Sequence, residues 1–432
     1  MYYALPFGWR YGREYRDTLR FLRQSQWWSE GDLKRWQRWQ LFLLFSHAHD
    51  NVPYYRELFD KCGIEPHVFP ESLDVLKKLP ILTRDDVRQI ADRMVDRNVP
   101  QDALIPFRTS GSTGAPLQFW GTESLWKLEA AHKTRAFEAA GIDLYRERTV
   151  WLRRYVPGDG EPLYMHDHEL RRLYLSAYHL TERNVPLYVG LMNEYGARAL
   201  VGYPSSLYAF ALLCERCNTR PRGLQVAHVA SEMLLPEWKA ATERILGVPV
   251  RTHYGMMEKV AFHFQCEQGN YHDALEYGVT EVVDGRVIGT GFLNRTMPFI
   301  RYDTGDRAIL ADGLLCSCGR GLPVTVSSFE GRCDDLLVRP DGALVPGVNF
   351  YTMMYKIVGV GMFQIVQHAP NHVEVRVVPG RGYGIGTTAG QIKKGMRDRL
   401  GRVRVEVKAV QEIERSRTTG KVRCVENRCL SG

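Results

Sequence analysis

Residues 108–116 read Arg108-Thr-Ser-Gly-Ser-Thr-Gly-Ala-Pro116, small hydroxyl residues interleaved with glycines after the apolar residues Leu104 and Ile105. Glycine lets a backbone approach an anion closely, and hydroxyls and free N–H groups then hydrogen-bond phosphate oxygens. The segment is not a phosphate loop of the GxxxxGK(S/T) kind, because no lysine follows the second glycine. Read alone, the same residues also make an ordinary flexible surface turn.

Outward from this loop, residues 105–300 alternate short apolar runs with helical stretches. "RTVWLRRY", "ARALVGYP", "LQVAHVAS" and "VPVRTHYG" read as strands, and "TESLWKLEAAHKTRAFEAAG" and "EWKAATERILG" as helices. That alternation argues for α/β layering. From about residue 276 the pattern changes to shorter β segments with glycine turns, in "EYGVTEVVD", "RVIGTGF", "PFIRYDTGDRAIL" and "DDLLVRPDGALV". Toward the N-terminus, residues 17–60 read as helical. Leu33, Trp36, Trp39 and Leu43 recur at roughly helical spacing and predict a packing face, with Pro53 interrupting the pattern. Thr83 reads as the N-cap of a helix that carries Asp85 and Asp86 in its first turn. The last hundred residues read as a separate β-β-α-β unit: "MFQIVQH", "HVEVRVVPG", a helix over 391–400, "VRVEVKAV", and a closing loop "RSRTTGKVR".

A chain of 432 residues with 44% hydrophobic and 25% charged residues is globular in composition, which excludes disordered, collagenous and low-complexity classes. No apolar run is long enough to span a bilayer, and residues 1–10 lack a secretory h-region, so the expected compartment is the cytoplasm. The net charge of +8 is mild at this length. It suits an anionic small ligand and does not require nucleic acid. The basic cluster Lys393, Lys394, Arg397 and Arg399 has helical spacing and reads as a solvated face.

Four further segments carry candidate chemistry. In "THYGMMEKV", Tyr254 could stack on a purine and Glu258 could hold Mg²⁺. In "RYDTGD", Asp306 could accept both hydroxyls of a ribose, although Asp, Thr and Gly are also plain turn formers. "GRCDDLL" (331–337) and "TTGKVR" with Lys421 follow. Each is ambiguous by itself, but their order is not. A Gly/Ser/Thr loop, then Tyr-Gly-x-x-Glu, Tyr-x-Thr-Gly-Asp, Gly-Arg-x-Asp-Asp and a late Thr-x-Gly-Lys resembles the adenylate-forming (ANL) superfamily of acyl-CoA synthetases and adenylation domains, over nearly the whole chain. "NVPYYRELF", "LPILTRDDVR", "TSGSTGAPLQF", "LSAYHLTE", "GYPSSLYAFA", "CEQGNYHDALEYGVTEVVD" and "MPFIRYDTGD" make it most like the short phenylacetate–CoA ligase branch and the CapK-type proteins of capsule clusters, often named after coenzyme F390 synthetase.

The resemblance implies a large α/β domain of layered sheets and helices with a small mobile α+β domain after it. Residues 1–100 would be the helical region of the large domain, 101–331 the adenylation core, and 332–432 the lid. It implies that a carboxylate attacks the α-phosphate of ATP, giving an acyl-adenylate and pyrophosphate. Such a transfer needs positioning and charge stabilisation more than a protein nucleophile. By resemblance Thr109, Ser110, Gly111, Ser112, Thr113 and Gly114 hold the phosphates, and Tyr254 with Gly255 flanks the adenine. Glu258 holds Mg²⁺, Asp306 binds the ribose, and Arg332 contacts ribose or phosphate. Lys421 bridges the substrate carboxylate and the α-phosphate, and Asp334 is the hinge. The acid pocket is expected to include Gly202, Tyr203, Pro204, Ser205, Ser231, Glu232 and His253, with Arg153, Arg154 and His179 nearby. One position departs from the pattern: Met257 stands where most relatives have Ser or Thr before the glutamate.

The chain has 9 cysteines, an odd count that favours thiols or metal ligands over a disulfide framework. Cys266, His272, Cys316 and Cys318 offer three sulfurs and one imidazole, a set that suits tetrahedral, structural Zn²⁺, with His263 as the substitute for His272. Ordinary buried thiols with a surface histidine are the alternative. Cys214 and Cys217 read as packing at a helix end, Cys424 and Cys429 as free thiols, and His166 and His168 in "MHDHE" as an exposed turn.

The polar phrases around the expected pocket predict a polar acid, hydroxylated or sugar-derived, in place of an aryl acid. Three functions remain open. The first is an acid–thiol ligase that passes the acyl group to CoA. The second is an adenylate-forming ligase of capsule or exopolysaccharide synthesis with an amine or hydroxyl acceptor, such as a saccharide. The third is a non-catalytic nucleotide-binding relative, which Lys421, Glu258 and Asp306 argue against. The phenylacetate branch also suggests a homodimer.

Overall fold

The structure, a computed structural model, describes residues 11–109, 117–144, 146–153, 155, 157–158, 160–311, 316–330, 336–380, 382–413 and 424–429. Ser110, Gly111, Ser112, Thr113, Gly114, Arg154, Arg332, Asp334 and Lys421 lie outside the described residues. The chain forms two compact units. One takes its described residues from 11–109, 117–144 and 251–330, the other from 146–250 and 336–429.

The first unit begins with three helices, Gly12–Ser25, Glu30–Asn51 and Pro53–Cys62. Ser29 caps the second by accepting from the Asp32 N–H, and Pro53 opens the third, where a missing N–H costs nothing. The buried face of Glu30–Asn51 is Leu33, Gln37, Leu41, Leu44, Phe45 and Ala48. This corrects the expected stripe: Leu33 is buried, but Trp39 is 48% exposed. A polar residue, Gln37, takes the inward place beside Trp36 by donating to the Gly278 carbonyl at 2.7 Å.

These helices pack beside an antiparallel sheet. Its order is Gly278–Val283, Arg286–Gly291, Tyr302–Leu310, Val326–Glu330, Tyr271–Asp273, Phe262–Gln265 and Val250–Gly255. Two features of this sheet position the site. The pairing Tyr254↔His263 puts Tyr254 at the end of its strand. Leu82 then bridges Tyr302, its N–H bonding the Arg301 carbonyl and its carbonyl accepting from Asp303, each at 2.9 Å. That bridge anchors the helix Arg84–Ile90, which starts at the expected cap with a full Thr83–Asp86 capping box. A methyl on Gly291 would run into the Lys259 carbonyl, so glycine there lets residues 258–260 lie directly on the sheet.

The second unit is α/β. Strands Val226–Ala230, Ala199–Gly202, Thr149–Arg153 and Arg172–Ser176 are parallel, with Tyr164–Asp167 antiparallel at the edge. Helices Val185–Tyr195, Pro204–Arg216 and Pro236–Leu246 accompany them. Val226–Ala230 is buried at every position, as a parallel strand covered on both faces should be. The C-terminal part of this unit has the sheet order Arg404–Ala409, His372–Pro379, Val360–Ala369 and Val425–Asn427, with helices Val348–Lys356 and Ile385–Leu400. The β-β-α-β reading holds, and the helix begins earlier than the 391 expected. Val425–Asn427, beyond the expected loop "RSRTTGKVR", adds a parallel strand that the sequence reading does not include. Its alternation is too short to register: a strand of this length is stabilised by its neighbour and not by its own pattern. Mixed α/β architecture with a C-terminal α+β part is therefore the observed fold class. No helix among the described residues is long and apolar enough to cross a membrane.

Candidate active site

The two motifs Tyr-Gly-x-x-Glu and Tyr-x-Thr-Gly-Asp meet in the first unit. The Tyr254 hydroxyl donates to Asp306 Oδ2 at 3.0 Å, and the Tyr302 hydroxyl donates to Glu258 Oε1 at 3.0 Å. Each motif thus supplies a phenol to the other motif's carboxylate. Thr304 braces the first pair. Its hydroxyl lies 3.5 Å from the Tyr254 hydroxyl, donates to the Val287 carbonyl at 2.9 Å and accepts from the Asp306 N–H at 3.1 Å. One face of Tyr254 is stacked on Phe329, with centroids 3.8 Å apart and planes at 7°. Burial, and after it the Asp306 carboxylate, push the Tyr254 phenol well above its ordinary pKa, so it stays a donor.

Glu258 is 4% exposed, and a carboxylate that deep needs partners. Besides Tyr302, Arg84 Nη2 lies 3.3 Å from the same oxygen, Oε1. Among the described residues both donors converge on Oε1 and none is on Oε2. A single carboxylate oxygen left over is the kind of ligand Mg²⁺ takes from protein, with waters and phosphates supplying the rest. Burial, followed by the Glu258 charge, raises the Tyr302 phenol in turn.

Sequence reasoning missed Arg84 and Tyr302. Both lie inside quoted motifs, "LPILTRDDVR" and "RYDTGD", and neither is given a role by the sequence. The signal for Arg84 was only its place next to a cap. Lys259, beside Glu258, adopts φ of 58° and is 1% exposed. It pairs with the buried Glu129 at 2.7 Å, and Glu129 also pairs with Lys133 at 2.9 Å. This ion pair holds a backbone conformation that a non-glycine residue reaches only at a cost of about 1–3 kcal/mol. Thr109 sits at the base of the Ser/Gly segment, its N–H bonded to the Leu117 carbonyl and its hydroxyl accepting from the Leu117 N–H. Gly255 is exposed at the end of its strand, and the His253 ring lies on Phe262 at 5.3 Å.

The residues expected around the acid divide between the units, His253 falling in the first and the rest in the second. Ser205 is buried and gives both its N–H (3.2 Å) and its hydroxyl (2.5 Å) to Glu232 Oε2. Ser231 has φ of 76° and is exposed. Tyr203 is 2% exposed and packs with Leu337, Val345 and Phe350 of the C-terminal part, and Pro204 opens the helix after it. His179 lies 2.8 Å from the Ser176 hydroxyl, and burial, helped by the Arg339 charge, lowers its pKa to about 4. Arg339 also donates to the Tyr178 carbonyl at 2.8 Å. Arg153 is in the parallel strand Thr149–Arg153.

Cys266, His272, Cys316 and Cys318 converge, with ligand atoms within 4.8 Å of one another. Cys266 Sγ and Cys316 Sγ are 3.6 Å apart, and Cys318 Sγ is 3.3 Å from His272 Nε2. Tetrahedral zinc would set these separations at about 3.8 and 3.6 Å. His272 Nδ1 faces the Leu322 carbonyl at 2.7 Å, the arrangement that turns Nε2 toward a metal. His263 is elsewhere, buried 3.5 Å from Asp273 with its pKa pushed down by burial to about 3. The Cys214 thiol is buried and pushed up to about 12, as packing requires and redox chemistry does not.

Residues 337–428 match the CapK C-terminal domain. Protein CapK of Staphylococcus aureus is 24% identical over 352 residues, 79% of this chain and 76% of the relative. The phenylacetate-coenzyme A ligase of Thermus thermophilus is 25% identical over 364 residues, covering 78% and 77%. Among solved structures, 2-hydroxyisobutyryl-CoA ligase with 2-HIB-AMP and CoA in its thioesterification state superposes with a TM-score of 0.60 at 20% identity, covering 94% of this chain and 91% of that one. With the ordered motifs folded into two phenol–carboxylate pairs and a C-terminal part that matches the CapK C-terminal domain, the chain is similar over most of its length to CapK and to the phenylacetate-coenzyme A ligases.

Proposed function

We propose that this chain is an ATP-dependent acid–thiol ligase. An oxygen of the substrate carboxylate attacks the α-phosphorus of ATP and the bond to the β-phosphate oxygen breaks, giving acyl-adenylate and pyrophosphate. The thiolate of CoA then attacks the acyl carbon and AMP leaves. The observation that carries this reading is the reciprocal bonding of the two motifs, Tyr254 to Asp306 and Tyr302 to Glu258. It gives the two carboxylates different partners, which supports assigning them different roles. Asp306 is oriented to accept ribose hydroxyls, with Thr304 fixing its backbone. Glu258 offers Oε2 to Mg²⁺, which when bound would neutralise phosphate charge. The Ser110–Gly114 N–H and hydroxyl groups are proposed for the phosphates, Arg332 for ribose or phosphate, Asp334 for the hinge before the 332–432 lid, and Lys421 for the charge that builds at the α-phosphate.

The Cys266, His272, Cys316 and Cys318 cluster is proposed to hold structural zinc, since its protein atoms fill every tetrahedral position. The acid is proposed to be polar, bound near Ser205, Ser231, Glu232 and His179, in a cytoplasmic homodimer. The match of residues 337–428 to the CapK C-terminal domain supports a second reading, in which an amine or hydroxyl on a saccharide replaces CoA as acceptor. Pyrophosphate release with ATP, Mg²⁺ and a panel of acids tests the first step, and Lys421→Ala should abolish it with the unfolding midpoint unchanged. Full activity in that variant would refute the mechanism. CoA-dependent AMP release separates the two acceptors, and a preference for phenylacetate would refute the polar acid.

A further inference from the structure

A second group of side chains with metal-ligand chemistry lies far from these motifs in sequence. His49 and Asp50 end the helix Glu30–Asn51, and His67 follows the helix Pro53–Cys62. Asp50 Oδ1 is 3.0 Å from His49 Nδ1 and 3.2 Å from His67 Nε2, and all three ligand atoms lie within 4.8 Å of one another. The imidazole rings meet edge to face, centroids 5.4 Å apart at 87°, so both nitrogens point at the carboxylate without the rings stacking. We propose that His49, Asp50 and His67 bind a divalent transition cation of the zinc type, through two imidazole nitrogens and one carboxylate oxygen.

Three observations support this. Tetrahedral zinc with nitrogen and oxygen ligands spaces neighbouring ligand atoms by about 3.4 Å, close to both distances found. The other nitrogen of His49, Nε2, lies 3.8 Å from Asp60 Oδ1, too far for a hydrogen bond but near enough to add a second negative charge beside the site. Arg56 fixes the backbone under the site, its guanidinium donating to the His49 carbonyl at 3.1 Å and to the Asp50 carbonyl at 2.5 Å. The donor set excludes other ion classes: two imidazoles suit zinc, nickel or copper and not magnesium or calcium. The side chains of Asp50 and His67 are 51% and 57% exposed, so water completes the coordination and the ion exchanges freely. It would clip the end of one helix to the chain following the next. The competing account is a carboxylate that merely accepts hydrogen bonds from two imidazoles.

Metal titration separates the two accounts. Untagged full-length chain, purified with zinc so that the cysteine cluster is filled, is titrated with Zn²⁺ alone and, separately, Ni²⁺ alone by calorimetry. One further equivalent should bind. It should be lost in His67→Ala and weakened about two- to threefold in Asp60→Asn, which removes one exposed negative charge. Both altered residues are exposed, and an unchanged circular dichroism spectrum checks the fold. No further binding event, or one identical in His67→Ala and His49→Gln, overturns the proposal in favour of the hydrogen-bonded account.

Discussion

Replacing Arg84 by methionine tests the pairing on which the Glu258 geometry depends. Methionine keeps much of the stem's length and removes the cation 3.3 Å from Glu258 Oε1. At an effective dielectric of about 20, that separation corresponds to an attraction of about 5 kcal/mol. Part of it offsets the desolvation of both groups, which are buried to 20% and 4% side-chain exposure. Truncating one partner of a buried pair costs about 3–5 kcal/mol, and the lower end applies here because the Tyr302 hydroxyl still reaches the carboxylate. About 3 kcal/mol is roughly a hundredfold in the unfolding equilibrium. Urea unfolding followed by tryptophan fluorescence should show that loss. Pyrophosphate release should fall, and the Mg²⁺ concentration for half-maximal rate should rise, because Glu258 is no longer held by both donors on Oε1. Adding Glu258→Gln to Arg84→Met should recover stability, since a neutral amide needs no counter-charge, and should recover no activity. An unfolding midpoint in Arg84→Met within error of the parent would refute the pairing. A Mg²⁺ dependence that does not move would refute its role in orienting Glu258.

Three further outcomes are expected. Cys318→Ser should remove one equivalent of bound zinc by elemental analysis and lower the unfolding midpoint, and zinc content unchanged by the substitution would exclude this cluster as the ligand set. Glu129→Ala should destabilise by about 3 kcal/mol because it strands the buried Lys259 ammonium, and Lys259→Met in the same chain should restore part of the loss, as a double-mutant cycle by chemical denaturation can measure. His179 has its pKa lowered to about 4 from an ordinary 6.5, so the unfolded chain binds the extra proton between those values. Its contribution to stability is complete above about pH 6.5 and falls as the pH drops toward about 4. His179→Gln should flatten that part of the pH–stability curve.

The sequence made the strands around the motifs, the Thr83 cap, the helix break at Pro53 and the β-β-α-β ending legible, because each rests on neighbours within a few residues. The Cys266, His272, Cys316 and Cys318 set was also legible. Few residue types bind zinc, and their presence narrows the choice before any folding is known. The zinc alternative His263 could be discarded only from coordinates, since Cys266 and Cys316 meet through the sheet.

The tertiary structure decided what no local pattern carries. Arg84 reaches Glu258 because the Leu82–Tyr302 bridge sets a helix from one end of the first unit beside a motif more than a hundred residues later. Tyr178 and Tyr203 are covered by the C-terminal part of their unit, a contact between largely apolar side chains that any sequence with similar composition could form elsewhere. Motif order and residue chemistry by themselves carried the resemblance to the adenylate-forming superfamily and the reaction proposed from it, since each carboxylate, phenol and thiol has a narrow set of uses. Which oxygen of Glu258 is held, which face of Tyr254 is taken and which histidine joins the cysteines depend on distances of a few tenths of an ångström. Those are fixed by long-range packing, and hydrophobic periodicity does not encode them.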